Sequence, residues 1–489
     1  MLHRNLGSLQ VQLISIGGII GSSYFLGIGS ILKQAGGTTL LAFLLGGVIV
    51  SLVSLAMCEL SVGMSREGSF VSQSRELLGS PWAAGVGWAY WFNWCAYIPS
   101  EMLAGGMILH EFFPSISILH WAMLFAAVIT LINLLNVKYF GKIESLLALI
   151  KVMALVLFTV LGTGVWLGIV GDRANTLRLP QSLMGPLSYP TLDPTQSHLP
   201  GGAFAFLLTM VLVLVNFQGT ELIALTAAET KNPEKDIPRA SRNIALRIIL
   251  LYVVPISLLL LIFPLDQVQV EKSAFVTALG HYGFQRSASV FQWIIITAAL
   301  SCSNSGLYGA VRALYGLGKE GLAPAWVSKT NSQGVPLYAT ALTISVAWAF
   351  LPLYHFFENS NFYVWLLSVS GFTGALCWIS ITLCQIRFRK QGGKTQVKGN
   401  SGYQMPGFPG LSYLSLILQI ICLGFLAFHP TLRTSIILGL PAFAGPALYV
   451  WARNWGSKNP GTPHQENPPQ NSSLKESKDN LGISPALRP

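Results

Sequence analysis

Two polar, glycine-containing interruptions stand inside otherwise apolar stretches of this chain. The first is Gly17-Gly18-Ile19-Ile20-Gly21-Ser22-Ser23-Tyr24-Phe25-Leu26-Gly27-Ile28-Gly29, five glycines in thirteen residues. Glycine weakens a helix by roughly 1 kcal/mol relative to alanine. Such a stretch either packs closely through small residues or unwinds and bares its peptide N–H groups. The second is Asn216-Phe217-Gln218-Gly219-Thr220-Glu221, a glycine, two amides and a carboxylate. Polar groups in the middle of an apolar span are costly unless they face protein or a cavity. Glu101 and Glu221 read as the only carboxylates deep in apolar stretches, and Lys151 as a lone cation inside another. A buried carboxylate can change protonation during a working cycle. Six cysteines form no CxxC pair and eight histidines show no metal-like spacing. No nucleophile–base pair stands out either, so no cofactor, metal or catalytic group is expected.

The elements that must position these residues are membrane helices. Of 489 residues, 52% are hydrophobic and only 10% charged, with mean hydropathy +0.55. A soluble chain carries about 25% charge. Apolar runs of membrane-spanning length recur throughout, which excludes a cytosolic enzyme, a disordered chain, a disulfide scaffold and a β-barrel of alternating polarity. Hydropathy predicts twelve helices, near 9–33, 38–63, 82–110, 117–137, 143–170, 203–228, 243–266, 288–317, 336–357, 361–385, 410–429 and 433–452. With both termini on the cytoplasmic side, the inner segments carry 23 Lys and Arg and the outer ones six. That bias follows the positive-inside rule, so the net charge of +11 marks topology and no nucleic-acid partner is expected. The chain enters its first apolar segment within about ten residues and lacks an A-x-A cleavage site, so that segment is expected to stay in the membrane. The cysteines read as small packing residues, and residues 453–489 as a disordered cytosolic tail.

The two interruptions fall in the first and sixth predicted helices, equivalent places in two halves of five. Interrupted helices at matching positions of inverted repeats point to the substrate site of a transporter. The residues here resemble the amino acid–polyamine–organocation superfamily, and within it the amino-acid permeases. The glycine segment resembles the S-x-G-G-x-I-G-T-G-L-F-x-G-x-G motif. Gly219-Thr220-Glu221, followed by Glu229-Thr230-Lys231-Asn232-Pro233-Glu234-Lys235-Asp236-Ile237-Pro238-Arg239-Ala240, resembles G-x-E…E-x-x-N-P-x-x-x-I-P-x-A. Asn304-Ser305-Gly306-Leu307-Tyr308, Arg312, Glu320-Gly321-Leu322-Ala323-Pro324, Gly334-Val335-Pro336 and Arg387-Phe388-Arg389 also fit, so the likeness runs from about residue 8 to 452. Two positions depart from it. Ser23 stands where the third residue of G-[ST]-G is usual, and Gln385 replaces a histidine often found before I-R-F-R.

The resemblance implies an all-α polytopic membrane protein with a LeuT-like 5+5 inverted repeat and discontinuous helices 1 and 6. Residues 1–8 would be a cytosolic N-terminus, 9–170 and 203–385 the two repeats, and 410–452 two peripheral helices. It also implies a division of labour on an amino-acid zwitterion. Peptide N–H groups of Gly21, Ser22 and Ser23 receive the α-carboxylate, and carbonyls of Ile19, Val215, Asn216 and Gln218 the ammonium. Phe217 is a candidate aromatic gate beside Gly219, or plain core. Glu101 is expected in side-chain recognition or proton coupling, and Glu221 in a conformational or proton-linked role. In proton-coupled relatives a lysine of helix five resembles a stand-in for a sodium ion. Lys151 matches it, with Ser301 and Ser305 as neighbours. The expectation is a proton-coupled importer of an L-amino acid in the plasma (inner) membrane, with both termini cytoplasmic and the lipid bilayer as its surroundings. An amino-acid/amine exchanger and an amino-acid sensor are the alternatives.

Overall fold

The computed structural model describes residues 19–64, 70–134, 140–171, 205–221, 243–331, 334–357, 359–392 and 403–456. The N-terminus, the glycines at 17 and 18, the 229–240 motif and the tail beyond 456 lie outside the described residues. Every regular element among the described residues is helical. The order is α1 Ser22–Phe25, α2 Ile28–Ala35, α3 Thr39–Gly63, α4 Phe70–Leu78, α5 Ser80–Phe112, α6 Ile118–Leu134, α7 Phe140–Trp166, α8 Ala205–Leu208, α9 Met210–Val215, α10 Ile244–Ile262, α11 Ala274–His281, α12 Gln285–Lys319, α13 Leu337–Phe350, α14 Asn359–Lys390, α15 Gly410–Leu426 and α16 Thr434–Gly456. Seven helical stretches among the described residues are long and apolar enough to cross a membrane. A helix is the economical answer in lipid, because it satisfies its own peptide groups.

Two short helices, α4 and α11, lie where only connecting loops were expected. Inside α10 one turn widens to a π turn over Ile249–Val253, just before Pro255. A proline has no N–H to return to the carbonyl four residues back, and π turns absorb such misfits.

Helix α5 is the hub. It packs against α4, α6, α12, α14 and α16. Small residues set the spacing: a Cβ on Gly306 of α12 would strike the Trp94 ring of α5, and one on Gly106 of α5 would strike the Ile118 carbonyl of α6. Trp94 itself is 1% exposed. A second tie joins α3, α14 and α15. Glu59, buried near the end of α3, pairs with Arg389 and accepts from Gln385 Nε2 at 2.9 Å and from the Met405 peptide N–H at 3.1 Å. Ser412 of α15 donates to Gln385 Oε1 at 2.8 Å. The position that departs from the family pattern therefore serves a structural amide here.

Between α15 and α16, His429 clasps the turn. Its Nδ1 accepts the N–H groups of Thr431 (3.2 Å) and Leu432 (3.0 Å), so Nε2 carries the proton and donates to Gln34 Oε1 of α2 at 2.7 Å. Burial pushes the imidazole down to about 4. The folded protein thus prefers the neutral ring. Its stabilisation is complete above the ordinary value near 6.5 and is lost as pH falls from there through about 4. The slope reaches about 1.4 kcal/mol per pH unit. Melting temperature is expected to drop across that window, and His429→Gln to flatten the drop. A pH-independent difference between the two proteins would refute the assignment.

Candidate functional site

The described chain enters the site at Ile19. Gly21 is extended, with φ −112° and ψ −168°, and α1 begins only at Ser22. After four residues the chain turns at Leu26–Gly27 and resumes as α2. The break brings Ser22 under α5. The Ser22 N–H donates to the Glu101 carboxylate, 3.0 and 2.9 Å from its two oxygens. Gly21 sits so close to Tyr97, Glu101 and Cys302 that any Cβ there would collide. The serine side chains turn to the surrounding helices: Ser22 Oγ lies 3.2 Å from the Tyr363 hydroxyl, and Ser23 Oγ 3.1 Å from that of Tyr97. Ser23, the unusual residue of the motif, is thus bound to α5.

The second interruption begins where α9 ends. Residues 216–221 form successive turns, and Gly219 takes φ +101°, a conformation that suits glycine. Glu221 folds back on this turn. Its carboxylate accepts the Gly219 N–H at 3.1 Å to each oxygen, Tyr90 Oη–H at 3.3 Å and the Trp378 indole N–H at 3.3 Å. Gln218 Nε2 donates to the Ser370 carbonyl at 3.0 Å, and the Ser370 hydroxyl lies 2.6 Å from Asn93 Oδ1. Asn216 Nδ2 donates to Leu212 O, while its Oδ1, fully enclosed, has no hydrogen-bond partner.

One side chain joins the two interruptions. Tyr252, in the π turn of α10, directs its hydroxyl at the Asn216 carbonyl (2.9 Å) and the Ile19 carbonyl (3.3 Å). Phe217 packs its ring on Tyr252 and Phe43, with centroids 4.9 and 5.9 Å away. A small, mostly apolar cleft lined by Ile19, Ile20, Phe217, Thr220 and Tyr252, with Arg247 also in its wall, opens beside this bridge.

The third constellation joins α7 to α12. Lys151, 0% exposed, donates from Nζ to Ser301 Oγ at 2.8 Å. The Ser301 hydroxyl in turn makes a short bond to Glu144 Oε1. Two opposite charges are therefore bridged by one hydroxyl in the interior, where an unpaired charge would be expensive.

The family model for amino acid permeases matches residues 10–455. The chain belongs to the amino acid permease family. It is 33% identical over 449 residues to the amino-acid permease RocE of Bacillus subtilis, which covers 90% of this chain and 92% of RocE. It is 34% identical to a putative histidine permease of the same organism, over 90% of this chain and 91% of that relative. The lysine-specific permease LysP of Escherichia coli is 33% identical, over 80% of this chain and 79% of LysP. The protein is thus a multi-pass membrane transporter of the amino-acid class, and no enzyme.

Within this permease the two interruptions meet at Tyr252, and Lys151 lies beside Ser301. Ser305 lies one turn further along α12, on the side of Glu144. Phe217 packs in the aromatic core, 0% exposed, the second of the two readings given for it. Three expectations need correction. The Val215 carbonyl is not free, because the tight turn gives it the Gln218 N–H at 3.2 Å. The Ser22 N–H is already taken by Glu101. Glu101 and Glu221 are not the only interior carboxylates, since Glu144 is 0% and Glu59 1% exposed. Glu144 precedes Lys151 by seven residues, two helical turns on one face. That spacing was the available signal. Tyr252 carried none beyond its place three residues before Pro255.

Proposed function

We propose that this permease imports an L-amino acid together with H⁺ across the plasma membrane by alternating access. The proposed frame is twelve spans with both termini cytoplasmic. Residues 9–170 and 203–385 form inverted five-helix repeats, and 410–452 two peripheral helices. Helices 1 and 6 are discontinuous in this reading. The observation that carries it is the Tyr252 bridge, which brings the bared carbonyls of both interruptions to one point. Broken backbone is tolerated at membrane depth where it lines a cavity and meets a ligand. The Ile19 and Asn216 carbonyls and the unpartnered Asn216 Oδ1 are acceptors for an ammonium. The peptide N–H groups at Gly21 and Ser23, and that of Ser22 once Glu101 releases it, are donors for a carboxylate. The substrate side chain enters the apolar cleft beside Phe217.

Lys151 supports coupling to H⁺ over Na⁺. A fixed ammonium between α7 and α12 repels a metal cation, and Glu144 and Ser301 give it proton-exchanging neighbours. Each H⁺ imported with substrate draws about 2.3 kcal/mol per 100 mV. The relatives' printed names cover histidine and lysine, so the class is proposed and its member left to measurement. The test is a competition panel of the common amino acids in proteoliposomes, with pH and Na⁺ gradients imposed separately. An inward H⁺ gradient alone should drive accumulation. Accumulation driven by Na⁺ alone would overturn the coupling. Uptake that requires a trans substrate and ignores uncouplers would replace import by exchange.

A further inference from the structure

We propose that Glu101 is a built-in occupant of the carboxylate half of the site, so that the resting permease binds decarboxylated primary amines and admits an amino acid only when Glu101 gives way. This rests on the reading above, in which the Ser22 N–H receives the substrate carboxylate. Ser22 has one N–H, and the Glu101 carboxylate holds it from 3.0 and 2.9 Å. One of the three N–H bonds expected of the substrate carboxylate, that of Ser22 between Gly21 and Ser23, is therefore already made, by the same chemical group.

The ammonium half is in the opposite condition. The Tyr252 hydroxyl has one proton for two carbonyls, at 2.9 Å from Asn216 O and 3.3 Å from Ile19 O. Asn216 Oδ1, on a residue 1% exposed, has no hydrogen-bond partner. Acceptors are in surplus while the anion is already present. A primary amine supplies the one missing charge. An amino acid brings a second carboxylate, and two like charges at close range in an interior repel strongly. It can bind once the Glu101 carboxylate takes one proton from water, becomes a neutral carboxyl group and releases the Ser22 N–H.

The groups facing Glu101 can be named. Tyr97 shares its helix, Tyr363 comes from α14, and Cys302 from α12, with Glu144 behind it; Lys151 acts on it from α7. Phenol and thiol groups ordinarily titrate above about pH 8. Glu101 is the carboxylate that contacts the Ser22 peptide directly, and Glu144 reaches the site only through Cys302 and Lys151.

The test uses the full chain in detergent or nanodiscs and three matched pairs of probes: lysine and cadaverine, arginine and agmatine, leucine and isoamylamine. None of these probes changes its charge between about pH 5 and 8. In the wild-type protein, amine affinity is expected to rise with pH over that range and amino-acid affinity to fall. In Glu101→Gln both trends should vanish. At neutral pH the variant should bind the amine about tenfold more weakly and its amino acid about tenfold more tightly. A packing role would weaken both members of a pair together, and that result overturns the proposal. The opposed pH trends of the wild type decide the matter even if the variant does not fold. If the amino acids bind and the amines do not, this inference fails and the permease reading stands. If no amino acid binds, the assignment of Ser22 to the substrate fails and takes the inference with it.

Discussion

Lys151→Ala is expected to abolish uphill uptake and to cost about 3–5 kcal/mol of stability. The ammonium is fully enclosed and donates to Ser301, whose hydroxyl bonds Glu144. Removing it leaves the Glu144 carboxylate inside the protein with only the hydroxyls of Ser301 and Ser305 for company. The double change Lys151→Met with Glu144→Gln separates the two effects. Neutralising both charges together should recover most of the stability, because a buried pair is often no better than apolar groups of like volume. On the proposed coupling it should not recover H⁺-driven accumulation, since neither the fixed ammonium nor its carboxylate neighbour remains. Thermal melting of the purified protein and uptake under an imposed pH gradient give the two readouts. Undiminished proton-driven uptake by Lys151→Ala would remove the lysine from the mechanism.

The second large effect is expected at Glu221. Its two oxygens accept from Gly219, Tyr90 and Trp378. The Gly219 and Trp378 groups are donors with no accepting capacity. Glu221→Gln turns one acceptor into an NH₂ group; placed at the Oε1 position it leaves Gly219 and Trp378 on the remaining oxygen and lets the Tyr90 hydroxyl accept. Replacing charge-assisted bonds by neutral ones costs about 1 kcal/mol. The larger consequence lies in geometry. Glu221 pins the turn that holds Gly219 at positive φ and presents the Asn216 carbonyl to the site. Maximal uptake rate is expected to fall more than about tenfold while the protein still inserts and melts cooperatively. Wild-type uptake with unaltered pH dependence would show that the carboxylate is dispensable.

Much of the architecture was legible because lipid leaves the backbone few choices. Seven helical stretches among the described residues are long and apolar enough to cross a membrane, and Thr39–Gly63 lies within one residue of the expected 38–63. The interruptions were legible for a related reason: glycine and amides inside apolar runs have no packing purpose that explains all of them. Hydropathy could not say which way a residue faces. Glu144 looked like a span-end residue until α7 was seen to begin at Phe140 and to turn both Glu144 and Lys151 toward α12. The self-occupation of Ser22 by Glu101 depends on a contact between residues 79 apart. No local pattern encodes it. Tyr252 was hidden in the same way, because a π turn re-aims side chains that an ordinary helix would place elsewhere. The short α4 and α11 carry too little apolar length to register as spans, and connecting segments were read as loop by default.

The close seat of Gly306 on Trp94, with that of Gly106 on the Ile118 carbonyl, bears on how a cargo gets past this protein. The Trp94 ring leaves α12 little room to slide along α5, and the Ile118 carbonyl leaves α6 little, so these three helices are expected to move as one. On the proposed cycle the four- to eight-residue pieces flanking Gly21, Leu26–Gly27 and Gly219 are the parts expected to swing. A crosslink between α5 and α12 should leave the machine running, whereas one that staples α1 to α5 should stop it.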